Sequence, residues 1–286
     1  LEASSQNLKA KLNYPFLLNT PAGLDANFSM IKKDTLYLSV ASRLGLQFFL
    51  KKGNFITGYF ENRSSSLIST FGFETLNSIP TYADYKINLY GLEYKHEYLD
   101  YKYNPRKGLS LHLTAGAGEK KIKKNAKLNQ ELYNGIKLNS IQAEGTFTFA
   151  AFIPVSERTT IKVGNLSGYI YNENLFENEL YQLGGMNILR GFTENSIIAS
   201  SYTIGTFEYR FLFEQNSNAY LFTDFAYYEK NTCKEFIADS PFGFGAGVNF
   251  ETKAGIFSMS YALGKQFSNP IEIRSAKIHF GYINRF

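Results

Sequence analysis

Leu36 to Lys51 reads LYLSVASRLGLQFFLK, and its apolar residues Leu36, Leu38, Val40, Leu44, Leu46, Phe48 and Leu50 all fall on one side of a two-residue repeat. Tyr37, Ser39, Arg43, Gln47 and Lys51 fall on the other. A 3.6-residue helix would scatter both sets around its axis, so this stretch is a two-faced strand. It is also longer than the ~9–11 residues a tilted strand needs to cross a bilayer, so one end is expected to project into solvent.

The same alternation recurs along the chain. It is read at Leu8–Phe16, Leu24–Ile31, Asn54–Asn62, Tyr85–Tyr98, from Leu109 onward, Ile141–Ile153 and Thr160–Tyr171. Five more strands follow around Thr203–Phe213, Tyr220–Tyr228, Phe242–Phe250, Phe257–Leu263 and Ile278–Phe286, thirteen in all. In the last five the outer face is mostly Phe and Tyr, while Gly243, Gly245 and Gly247 leave the opposite face of their strand almost bare. A phosphate-binding loop is excluded there because alternation continues on both sides and no helix follows.

Composition agrees with this pattern. The chain holds 26 Phe and 21 Tyr but no Trp, and its mean hydropathy is only −0.23 at 44% hydrophobic residues. No run approaches the ~18–20 apolar residues of a membrane helix. Apolar aromatics on one face and small or polar residues on the other suit a transmembrane barrel, and closure removes the exposed edges that such a sheet would otherwise present. Connections near Thr20, Gly53, Pro105, Glu157, Asn216 and Lys253 are short. Those at Ser64–Asp84, Glu119–Gly135, Asn172–Ser200, Glu229–Ser240 and Gly264–Arg274 are long, the asymmetry of an outer-membrane barrel with periplasmic short turns. The expected fold is therefore all-β, a transmembrane antiparallel outer-membrane β-barrel occupying residues 1–286 as a single domain. Leu1 is followed by no charged n-region and apolar h-region, so a signal peptide is expected either to have been removed already or never to have belonged to this sequence.

Other classes fare worse. The net charge of +5 is spread over the chain, and the lysine run Glu119–Lys127 lacks interleaved aromatics, so it is read as a solvated loop and no nucleic-acid partner is expected. Cys233 has no partner cysteine. His96, His112 and His279 lie in separate strands, and no Gly-x-Ser-x-Gly or His-Glu-x-x-His occurs, so no enzyme, metal site or cofactor is expected.

One loop stands out, Leu180 to Ser196, LYQLGGMNILRGFTENS. Gly184 and Gly185 permit a tight reversal, Gly191 permits close approach to a wall, and Leu189-Arg190-Gly191-Phe192 forms the tip. A permanently charged guanidinium on a constrained tip seeks fixed carboxylates, and the inward-facing Glu208 and Asp224 of the next two strands supply them.

These residues carry a resemblance to the C-terminal barrel of the BamA, TamA and FhaC superfamily. The Leu189-Arg190-Gly191-Phe192 loop after a Gly-Gly pair is similar to that family's loop folded into the barrel lumen, and Glu208 and Asp224 resemble its acidic partners. The ending HFGYINRF, with His279, Gly281, Tyr282 and Phe286, resembles an aromatic-terminated assembly signal, with Asn284 departing from it. The match is strong from about residue 172 onward and only architectural before Tyr85; no POTRA domain is visible. The resemblance implies sixteen strands in a complete barrel, hence three N-terminal strands absent from this chain or else one miscounted segment before Tyr85, a periplasmic C-terminus, and an insertase or secretion transporter. It implies outer-membrane lipid, unfolded or secreted client proteins and accessory subunits as partners. A passive solute channel and an anchor for an upstream domain such as a patatin-like lipase are the alternatives.

Overall fold

The structure is a computed structural model describing residues 5–70 and 81–284. Arg285 and Phe286, the end of the expected assembly signal, lie outside the described residues, as does part of the Ser64–Asp84 loop. Sixteen strands follow in chain order: β1 (Ser5–Tyr14), β2 (Ala22–Lys33), β3 (Tyr37–Phe49), β4 (Phe55–Leu67), β5 (Asp84–Leu99), β6 (Gly108–Lys123), β7 (Asn139–Pro154), β8 (Thr159–Tyr171), β9 (Tyr181–Leu183), β10 (Ile197–Ala199), β11 (Ser201–Glu214), β12 (Ser217–Asn231), β13 (Phe236–Asp239), β14 (Phe242–Thr252), β15 (Gly255–Lys265) and β16 (Lys277–Asn284). Thirteen of them form the wall, each antiparallel to the next: β1 through β8, then β11, β12, β14, β15 and β16. These are the thirteen segments that alternation marks. The short β13 pairs with β12, and β9 with β10 makes a small hairpin apart from the wall.

Among the described residues β1 pairs only with β2 and β16 only with β15, so the barrel-like sheet is open between its first and last strands. Wall parity follows the sequence. On β3, Leu44, Leu46 and Phe48 are exposed whereas Gly45 and Gln47 are buried; on β12, Leu221, Phe225 and Tyr227 are exposed whereas Phe222, Asp224 and Ala226 are buried. An apolar exterior over a buried, partly polar interior is the solvent pattern of a barrel in lipid.

Two boundaries differ from expectation. β4 continues through Ser64 to Leu67, and β6 continues through Lys123, so the lysine run is not simply a solvated loop. Alternation persists across the charges, placing Lys120 and Ile122 inside and Lys121 and Lys123 outside. Lys120 is fully buried. A long aliphatic side chain can satisfy strand periodicity if its ammonium finds a partner, and composition alone does not reveal one.

The interior divides into two parts. In the first half of the wall it carries ion pairs beside a buried apolar row of Tyr85, Ile87 and Leu89 on β5: Arg63 donates to Glu61 and Glu144, and Arg43 and His112 both reach Glu93. In the second half it is filled by the 172–200 segment, whose Leu183, Leu189, Phe192, Ile197 and Ala199 pack on Ile204, Ala226 and Tyr228 of the wall. Burying a large apolar side chain of this kind contributes about 1.5–3 kcal/mol, enough for a handful of them to hold a loop with little regular structure.

Because the outer face meets hydrocarbon and the inner face does not, charge should be tolerated very differently on the two. Phe225→Arg, on the exposed face of β12, is expected to destabilise the folded protein by about 2–4 kcal/mol in lipid vesicles, whereas Asn249→Arg on the inner face of β14 should cost far less. Denaturant titration of the two variants in the same vesicles checks this.

Candidate functional site

The site is built by the loop tip and six wall strands, β8, β11, β12, β14, β15 and β16. Gly184, Gly185 and Gly191 adopt φ of +113°, +89° and +92°, turning the chain inward so that Arg190 faces β11 and β12. Its Nε donates to Asp224 Oδ2 at 2.7 Å and its NH2 to Asp224 Oδ1 at 2.6 Å, a bidentate fork. NH1 donates to Glu208 Oε1 at 2.7 Å, and the Arg190 amide donates to Asp224 Oδ2 at 3.2 Å. The guanidinium also lies 3.7 Å above the centre of the Phe222 ring. Planar donors on a carboxylate edge with an aromatic face beneath are an arrangement lysine cannot reproduce.

All three charged side chains are buried, Arg190 8%, Glu208 5% and Asp224 1% exposed. Burial opposes the charge on Arg190, but hydrogen bonds and charge from Asp224, joined by Glu208, outweigh it and raise its pKa above the ordinary arginine value. The guanidinium is therefore a permanent cation here.

The structure brings Arg190, Glu208 and Asp224 together and adds partners that alternation does not single out. Arg210 grips Glu208 Oε2 through Nε and NH2 at 2.8 and 2.7 Å, and Lys162 on β8 reaches Glu208 Oε1 at 3.3 Å. Thr206 Oγ1 donates to Asp224 at 2.9 Å. The cluster holds three cations to two anions. If Arg190 were removed, Glu208 would keep two cations, and Asp224 would be the orphan. Lys162 and Arg210 lie on the inward parity of their strands, a signal available in the sequence, but neighbouring registers decide that both converge on Glu208.

The bare inner face of β14 explains how the tip fits. Asp224 sits opposite Gly243 and Phe222 opposite Gly245, while Gly243 pairs with Gly264 on β15. A Cβ at Gly243 would strike the Arg190 carbonyl oxygen, and one at Gly191 would lie 2.6 Å from the Leu263 carbonyl oxygen. Loop backbone thus lies directly on wall backbone, which only glycine permits. Leu189 is fully buried and Phe192 nearly so. On β16 the Gly191 amide donates to His279 Nε2 at 3.3 Å, and Gly281 faces Met186 of the loop. Tyr282 instead points outward, together with Ile278 and Phe280. Of the four residues expected to form a terminal signal, two thus face the loop, one faces outward, and Phe286 is outside the described residues. Among the described residues no cluster of side chains could hold a metal ion.

An antiparallel wall with an apolar exterior and a buried arginine loop is the architecture of an outer-membrane β-barrel. The chain belongs to the Omp85 superfamily, whose domain model matches residues 81–286; barrels of this superfamily sit in the bacterial outer membrane. BamA from Haemophilus ducreyi lacking POTRA domains 1–3 shares the fold, with a TM-score of 0.61 at 14% identity over 96% of this chain. CdiB from Acinetobacter baumannii aligns over 96% of this chain and 55% of its own length at 12% identity and a TM-score of 0.44. The chain spans 61% of the BamA chain it matches. No curated protein sequence matches it.

Arg190→Ala should strand Asp224 in a dry environment, destabilising the protein by about 3–5 kcal/mol where water is excluded and less where it enters. Asp224→Asn should cost less than Arg190→Ala, because the guanidinium keeps Glu208. Gly243→Ala should unseat the tip without removing any charge. Denaturant unfolding of the three variants in vesicles, compared with the parent, reads the order.

Proposed function

We propose that this chain is the membrane barrel of an insertase or secretion transporter, acting on unfolded or secreted polypeptides at the outer membrane, with its C-terminus periplasmic. The observation that carries this reading is the buried fork of Arg190 on Asp224 and Glu208. It ties a loop of some thirty residues to the inside of the wall, where a passive channel would need open space. The held loop narrows the lumen and stiffens β11–β16, while the backbone edge of β16, which among the described residues pairs only with β15, is where a client strand adds by main-chain hydrogen bonding. Arg190, Gly184, Gly185, Leu189, Gly191 and Phe192 are the loop's working residues, with Glu208 and Asp224 their receptors. Accessory subunits and further domains of the whole protein fall within the same reading.

The test uses the full-length protein in its own outer membrane. Arg190→Ala is expected to abolish delivery of the client while leaving folded barrel in the membrane, and Arg190→Lys to restore only a fraction, since an ammonium cannot span both oxygens of Asp224. Undiminished delivery by Arg190→Ala would overturn the reading. A large, steady ion conductance in the parent protein, unchanged in the variant, would favour the passive channel.

A further inference from the structure

The loop that carries Arg190 touches the wall a second time, some ten residues earlier. At the long-loop end of the barrel, Glu177, Asn178 and Glu179 form a single 3-10 turn, and each side chain engages a different part of the wall. The Glu177 carboxylate accepts from Lys230 on β12, and its amide donates to the Thr81 carbonyl at 3.0 Å. Asn178 Nδ2 donates to Ser65 Oγ on β4 at 2.9 Å and to the Ala83 carbonyl at 2.8 Å, and its Oδ1 accepts from the Ala83 amide at 3.3 Å. The Asn178 carbonyl accepts from the Tyr85 hydroxyl of β5 at 3.0 Å. Glu179 Oε1 accepts from Lys120 Nζ on β6 and from the Phe176 amide at 2.7 Å.

This is not a surface contact. The side chains of Lys120 and Glu179 are both 0% exposed, and the ammonium also donates to the Asn174 carbonyl and lies 5.2 Å from the Phe176 ring centre. Phe176 is in turn packed among Ala83, Ile122 and Tyr133. Burying an ion pair this completely is a poor route to stability, and its best-attested use is to select one register over others. The strands it joins are also far apart, since β4–β6 and β12 are separated in the wall by β7, β8 and β11.

Resting on the reading of the 172–200 segment as the element seated in the lumen, we infer that the Glu177–Glu179 turn is a second, independent anchor. It is a brace across the long-loop mouth, in which Lys120, Asn178 and Glu179 are positioning residues that set where the tip delivers Arg190. Two fixed ends convert a flexible loop into a strut. The tip's freedom is then limited to the segment beyond residue 180, itself tied by the β9–β10 hairpin and by Tyr181, whose hydroxyl donates to the Gly145 carbonyl at 3.3 Å. It is these ties, not the length of the chain between the anchors, that keep the tip from seating elsewhere on the wall.

The test is a cross-link that reports tip position and needs no client. In a full-length Cys233→Ser background, Met186→Cys and Gly281→Cys join the tip to β16, where a Cβ at Gly281 would lie 3.0 Å from Met186 Sδ. The disulfide is expected to form nearly completely in membranes. Lys120→Met, Asn178→Ala and the double variant Lys120→Met/Glu179→Gln are each expected to lower the yield several-fold in the heat-modifiable, folded fraction. Parent yield in Asn178→Ala and in the double variant would overturn the brace. The double variant separates positioning from stability, because it removes the stranded charge left by Lys120→Met and so should recover folded protein without recovering the cross-link. Asn178→Ala creates no buried charge and keeps the test readable if Lys120→Met does not fold. Client delivery is not the readout, so a failed brace leaves the Arg190 reading intact, and normal delivery by Arg190→Ala leaves the brace intact.

Discussion

Everything distinctive in this barrel depends on a guanidinium held where water is scarce. A wall of two-faced strands can close over lipid with any polar interior, but an arginine in that interior must be fully partnered or it is costly. Here Asp224 takes two of its nitrogens, Glu208 a third, and the Phe222 ring its face. The partners lie on adjacent strands and on one side of the sheet, because Asp224 stands opposite Thr206, two residues from Glu208. A single register slip between β11 and β12 would send one acid to the lipid face. The charge cluster and the strand pairing thus depend on each other.

The second requirement is room. β14 alternates large apolar residues outward with glycine inward, and β15 and β16 continue the bare patch with Gly264 and Gly281. The outer rings meet lipid while the inner backbone receives the loop. Side chains on that inner face would keep the tip from reaching Asp224, so the glycines are the counterpart of the charges: one set permits the approach and the other holds it. Glycine is unfavourable in strand interiors, and the loop offsets that cost by seating the Arg190 carbonyl over Gly243, Gly191 and the Phe192 ring over Gly264, and Met186 over Gly281.

Charge inside the wall is graded. The first half, β3 to β7, carries ion pairs that remain partly wet, such as Arg63 with Glu61 and Glu144. The Arg190 cluster is drier, and the Lys120–Glu179 pair is fully enclosed. Dryness increases where the long segment touches the wall, since its own apolar residues exclude water there. The same covering that makes these pairs costly to break makes them specific.

The thirteen wall strands were legible in the sequence because lipid on one side and polar contacts on the other impose a two-residue period that a helix cannot keep. The inward parity of Glu208 and Asp224, and the glycine reversal before Arg190, were legible for the same local reason. The convergence of Lys162 and Arg210 on Glu208 was not, because it depends on the registers of β8, β11 and β12 together rather than on any one strand. Lys120 was misread as part of a solvated run. Its burial is decided by Glu179, fifty-nine residues away, and periodicity reports which way a side chain faces but not what waits there. Local alternation is a property of the chain and its solvent; the partner of a buried charge is a property of two distant segments brought together, and only the tertiary structure decides it.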